Sequence, residues 1–141
     1  MSAALLKKLQ GVQNAAARFI AGVRRFDHIT PVLHDLHWLP VQKRIVFKIA
    51  TLVYKCMHEM APSYLARDCV PASSVAGRSR LRSGSGYDLV WSGKATVSRT
   101  RTFGTSGPTV WNALPVELRA PELSIESFRK KLKTYLFTSP N

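Results

Sequence analysis

Apolar side chains recur at steps of three and four through the first part of the chain: Leu5, Leu9, Val12, Ala16, Phe19, Ile20 and Val23. Residues at that spacing share one face of an amphipathic helix, and Gly22 is where the helix should end. Thr30-Pro31 then offers an N-cap followed by proline in the first turn, opening a short helix through Val32, Leu33 and Leu36 that stops near Trp38. Pro40 starts the next element. There Val41, Ile45, Ile49, Leu52, Val53, Cys56 and Met60 form a long stripe, while Lys43, Arg44, Lys48 and Lys55 lie largely off it. Such stripes are most simply used between helices. Pro62-Ser63-Tyr64-Leu65 suggests one or two further helical turns.

The pattern changes after Pro71. Residues Ala72 to Gly86 are rich in Ser, Gly and Arg, with Val75 and Leu81 almost the only large apolar side chains, and read as a flexible basic loop. Tyr87-Asp88-Leu89-Val90-Trp91 and the run Ala95 to Phe103 are rich in β-branched and aromatic residues, which predicts a small hairpin over 87–105 around Ser92-Gly93. Gly107-Pro108 should start a short helix carrying Val110, Trp111 and Leu114. Ser124 should cap a last one through Ile125, Phe128, Leu132, Tyr135 and Leu136, with Leu123 and Phe128 placed as a hydrophobic staple. The expected fold is mainly α: a single small helical domain over 1–141, with a helical part at 1–71, an inserted basic loop at 72–86, the hairpin, and C-terminal helices over 106–141.

Two strings stand out within this pattern, His37-Trp38-Leu39-Pro40 and Val110-Trp111-Asn112-Ala113-Leu114-Pro115. Proline disfavours helical geometry in the residue before it, so Leu39-Pro40 and Leu114-Pro115 mark element boundaries. The adjacent indoles read as hydrophobic anchors that pin those corners to a core.

Charge changes the picture more than length does. At 141 residues the chain can bury a real core, but 21 basic against 8 acidic residues give a formal charge of +13. That excess points to polyanionic partners, nucleic acid first and anionic membrane second. No stretch is long enough to span a bilayer, and Lys7, Lys8, Gln10, Gln13 and Asn14 interrupt any secretory signal. Cys56 and Cys69 are too few for a disulfide framework and fit a reducing nuclear or cytoplasmic setting.

The candidate nucleic-acid contacts follow from the arginines. Arg78, Arg80 and Arg82 in the Ser/Gly-rich loop suit phosphate oxygens, and Arg99 and Arg101 would share one face of a strand. Tyr87, Trp91 and Phe103 nearby would offer stacking surfaces if exposed, although burial suits Trp91 and Phe103 better. Lys130, Lys131 and Lys133, with Arg129, decorate the last helix, and Lys43, Arg44, Lys48, Arg24 and Arg25 extend the positive surface. Metal and catalytic chemistry find little to work with. His34, His37, His58, Asp35, Cys56 and Cys69 lack zinc-site spacing, and no serine sits in a nucleophile-elbow string. No cofactor is implied.

The two Trp-Leu-Pro strings also carry a resemblance. Together with Leu9-Gln10-Gly11-Val12-Gln13-Asn14-Ala15-Ala16-Ala17-Arg18, Phe26-Asp27-His28-Ile29-Thr30-Pro31-Val32-Leu33 and Tyr54-Lys55-Cys56-Met57-His58, in that order, they resemble the region behind the polymerase core of LINE-type, non-LTR retrotransposon reverse transcriptases. The resemblance spans nearly the whole chain, although the run before Gly107-Pro108 is shorter than in those relatives. It implies a non-catalytic tail that holds RNA or an RNA–DNA hybrid by phosphate contacts. It does not bring polymerase chemistry, which needs clustered aspartates, whereas Asp27, Asp35, Asp68 and Asp88 stand apart. The alternative expectation is a helical interaction module that docks onto the parent's polymerase core or another protein, and self-associates alone. A third is a truncated element copy without selected function, beginning at Met1 where the family's tail begins.

Overall fold

The computed structural model describes residues 2–75, 87–90 and 102–139. It is mainly helical. In chain order it comprises α1 (Ala3–Ala21), α2 (Ile29–Asp35), α3 (Val41–Met57), α4 (Ser63–Ala66), β1 (Val70–Pro71), β2 (Leu89–Val90), α5 (Phe103–Asn112) and α6 (Ile125–Thr138). Two short 3-10 turns, Ala72–Ser74 and Val116–Leu118, complete the described elements. The chain divides into two compact units, Met1–Phe47 with Lys133–Asn141, and Lys48–Leu132.

In the first unit, α1 begins at a serine cap, the Leu5 N–H reaching Ser2 Oγ at 3.4 Å, and ends where Gly22 turns left-handed at φ 64°. Its orientation reverses the expectation for its stripe. The buried residues of α1 are Gln13 and Ala17, whereas Leu5, Leu9, Val12, Phe19 and Ile20 are exposed. The reason lies at the Pro40 corner. Gln13 Nε2 donates to the Leu39 carbonyl at 2.9 Å, and the Val41 N–H donates to Gln10 Oε1 at 2.8 Å. Val41 opens α3, so its N–H has no partner within the helix, and the Gln10 amide supplies one. Gln10 is itself held by donating from Nε2 to Asn14 Oδ1 at 2.7 Å. The amide face is thereby committed inward, together with Ala17, which packs with Val32 and Leu33 and with the partly buried Val23, Ile29, Leu36 and Trp38.

The second helix starts one residue before the expected cap. Ile29 is already helical, His28 precedes it without a side-chain cap, and Thr30 lies inside the first turn. Pro31 is therefore the third helical residue, where a missing N–H still costs no intrahelical bond. The helix closes with a Schellman motif: the His37 N–H donates to the His34 carbonyl at 2.9 Å and the Trp38 N–H to Leu33 at 2.7 Å, with His37 left-handed at φ 54°. Trp38 and Leu33 belong to the same apolar cluster, the contact that normally accompanies this motif. The next helix ends earlier than its stripe suggested, at Met57. Glu59 is left-handed at φ 57°, and the exposed Met60 returns its N–H to the Lys55 carbonyl.

The second unit is built around an aromatic row. Tyr54 stacks on Phe128 with centroids 4.6 Å apart and on His58 at 4.0 Å, and Trp111 lies 5.9 Å from Phe128. The Tyr54 hydroxyl donates to the Leu123 carbonyl just ahead of α6. Ser124 caps that helix as expected, accepting the Ser127 N–H at 3.3 Å, and Phe128 is wholly buried.

One strand pairing was not read in the sequence, and the turn and most of the second strand of the expected hairpin lie outside the described residues. Leu89–Val90 pairs antiparallel with Val70–Pro71, and Phe103 opens α5 instead of ending a strand. The intervening positions 91–101 lie outside the described residues. Helix α5 thus starts four residues before Gly107 and contains Pro108, which leaves the Gly104 carbonyl without its usual helical donor. Gly107 permits close packing, since a Cβ there would lie 3.2 Å from Val53 Cγ2. The Trp111 indole N–H donates to the Tyr87 carbonyl at 2.8 Å. Beside it, Asn112 accepts the Leu89 N–H and donates to the Leu89 carbonyl, both at 2.9 Å, as a neighbouring strand would. Arg119 pairs with Asp88, whose carbonyl accepts the Ala72 N–H.

Candidate nucleic-acid interface

Of the contacts expected from the sequence, Arg78, Arg80, Arg82, Arg99 and Arg101 lie outside the described residues. Lys130 and Lys131 are exposed on α6 beside exposed Arg129, and Lys133 is half-buried. Lys130 and Lys131 are adjacent in sequence, so they point about 100° apart around the helix and address different sides. Lys43 is engaged, donating from Nζ to the Ser139 carbonyl at 2.5 Å, while Arg44 and Lys48 are exposed. Among the expected stacking surfaces, Tyr87 is exposed, Phe103 is half-buried, and Trp91 lies outside the described residues.

A different aromatic stands beside exposed cations. Between α1 and α2, the Asp27 N–H donates to the Arg24 carbonyl at 3.2 Å, and the Asp27 carboxylate accepts the Arg24 N–H at 2.8 Å. This double closure puts Arg25 and Phe26 at the tip of the turn. Phe26 is 93% exposed, with Arg24 and Arg25 exposed next to it. Arg18 reinforces the turn by donating from Nη2 to the Asp27 carbonyl at 3.3 Å. A ring held out beside two guanidinium groups offers a base a stacking face and its phosphates a pair of cations. Spacing alone marked Arg24 and Arg25 as basic surface and missed Phe26. Its available signal was Asp27, three residues after Arg24, where a carboxylate can return to the backbone of the turn.

Two histidines and both cysteines serve packing. His34 meets the Phe137 ring edge-on at 5.4 Å, and His58 stacks on Tyr54. Cys56 and Cys69 are buried free thiols, each within the other's electrostatic influence. Burial, reinforced by Cys56 and by the Asp68 carboxylate, pushes the Cys69 thiol up to about 12. Among the described residues, no three His, Cys, Asp or Glu side chains gather as metal ligands, and no helix is long and apolar enough to cross a membrane. Compared with family models, curated proteins and solved structures, the chain matches none.

Proposed function

We propose that the chain is a non-catalytic nucleic-acid-binding domain of the kind its sequence resembles, the tail behind a non-LTR reverse transcriptase core. In this reading it works in the nucleus or cytoplasm and takes single-stranded RNA, or RNA paired with DNA, mainly through phosphate contacts. The observation that carries the reading is the Arg24–Asp27 turn, which holds Phe26 outward beside two arginines on a chain of charge +13. Phosphate neutralisation supplies affinity without sequence preference, and stacking adds grip on an unpaired base. Arg78, Arg80, Arg82, Arg99 and Arg101, with Lys130, Lys131 and Lys133, are assigned to the same electrostatic role.

The test is a filter-binding titration of a single-stranded RNA at two salt concentrations. Affinity should fall steeply with salt. Phe26→Ala should cost roughly 5- to 160-fold in affinity while leaving the salt slope unchanged, because stacking is worth about 1–3 kcal/mol per base and releases no counterion. Arg25→Ala should instead flatten the slope by about 0.7, the share of a single phosphate on an unpaired strand. Absence of binding at low salt would reject the reading.

A further inference from the structure

We infer that the outward face of α1 is a docking seam for an acidic amphipathic helix of another protein. This goes beyond nucleic-acid binding and does not depend on it. The seam residues Leu5, Leu9, Val12, Ala16 and Phe19 advance by four, three, four and three, the 3.5-residue spacing by which one helix packs along another. All five are exposed, Val12 by 70% and Phe19 by 88%, and Ile20 widens the strip beside Ala16. A 19-residue helix is about 28 Å long, enough for two and a half heptads.

The helix is prepared for a partner before one arrives. Its inward side is fixed by Gln10, Gln13 and Ala17, and Ser2 and Gly22 hold its ends, so docking need not order it. Gly11 and Ala15 lie exposed to one side of the seam.

Charge selects the occupant. Residues 2–26 contain Lys7, Lys8, Arg18, Arg24 and Arg25 and no carboxylate. Lys8 borders the seam, in the position that faces a charged residue flanking the partner's apolar strip. A second copy would offer Lys8 no opposite charge, since residues 2–26 hold no carboxylate, and would add its own net charge to a chain already at +13, which opposes pairing. A bilayer surface suits a helix with cations on both borders of a broad apolar face. Here Lys8 marks one border, and the other consists of half-buried Leu6 and buried Gln13, turned into the unit. A helix with Glu or Asp beside a narrow leucine strip matches both the spacing and the charge.

The probe is a fluorescein-labelled synthetic helix of three heptads with Leu at its two seam positions and Glu flanking them, titrated against the full chain by anisotropy. Saturable binding is expected. Val12→Glu should weaken it at least tenfold with the helical circular dichroism unchanged, since the Val12 side chain is turned to solvent. Lys8→Glu should weaken the Glu helix several-fold and strengthen a matched helix carrying Lys instead. Phe26→Ala should leave it unaffected, separating this seam from the RNA contact. No binding of the Glu helix, or equal binding of the Lys helix, would overturn the inference. So would a dimer in sedimentation that Val12→Glu dissociates, which would make the occupant a second copy. Co-sedimentation with phosphatidylserine/phosphatidylcholine vesicles that Val12→Glu abolishes would overturn it as well, assigning the face to lipid.

Discussion

His37 and Glu59 hold left-handed backbone that costs a side-chain-bearing residue roughly 1 kcal/mol and costs glycine almost nothing. The Schellman bonds that require this geometry at His37 come from main chain, so they survive a change of side chain. His37→Gly should therefore raise the urea midpoint, with an unchanged slope, by the equivalent of about 0.5–1 kcal/mol. Cys69 sets a pH limit on stability from a second direction. Its thiol is held at about 12 in the fold against 9.0 ordinarily, so the native state keeps a proton that the unfolded chain releases. The stabilisation is complete below pH 9 and is lost as pH rises towards 12. Urea unfolding between about pH 8 and 11 should show stability falling more steeply in the parent chain than in Cys69→Ser. Equal slopes would mean that Cys69 is not shielded.

At the scale of elements, apolar periodicity identifies α1 correctly as a helix but misplaces its inner face. Periodicity reports which residues share a face and not what covers it. Here the covering is decided by orphan backbone groups at the Pro40 corner, which need amides more than they need leucines. Substitutions should separate the two faces. Ala17→Leu, at a site with no exposure, should lose about 1–3 kcal/mol by overpacking, whereas Phe19→Ala should stay within about 0.5 kcal/mol in thermal unfolding. The reverse ranking would place the stripe in a core. Other elements were legible because their signals are local: Gly22 ending α1, Ser124 capping α6, and proline at both corners. Strand pairing was not. Val70–Pro71 and Leu89–Val90 lie far apart in sequence, and the side of β2 that meets α5 is satisfied by the Asn112 amide, which no alternation pattern encodes.

For the whole molecule, net charge is legible from composition alone, whereas the placement of an individual side chain is not. A charge of +13 was readable at once, yet Phe26 became a candidate contact only through the Asp27 carboxylate that closes the turn beneath it. The mainly helical architecture followed from the stripes, because helices of this length declare themselves over several turns. The two tryptophan corners read as anchors, but Trp111 also spends its indole N–H on the Tyr87 carbonyl, a long-range bond invisible in the string itself.

The hydrogen bond from Val41 to Gln10 joins positions 31 residues apart and gives the third helix a beginning that its own sequence does not provide. Pro40 has no hydroxyl or carboxylate with which to cap, so the first turn of α3 borrows its acceptor from a helix synthesised earlier. The amide proton of Val41 is consequently a gauge of whether α1 is seated. It should exchange slowly while α1 stays on its amide face and quickly whenever α1 lifts away, even if α3 remains wound throughout.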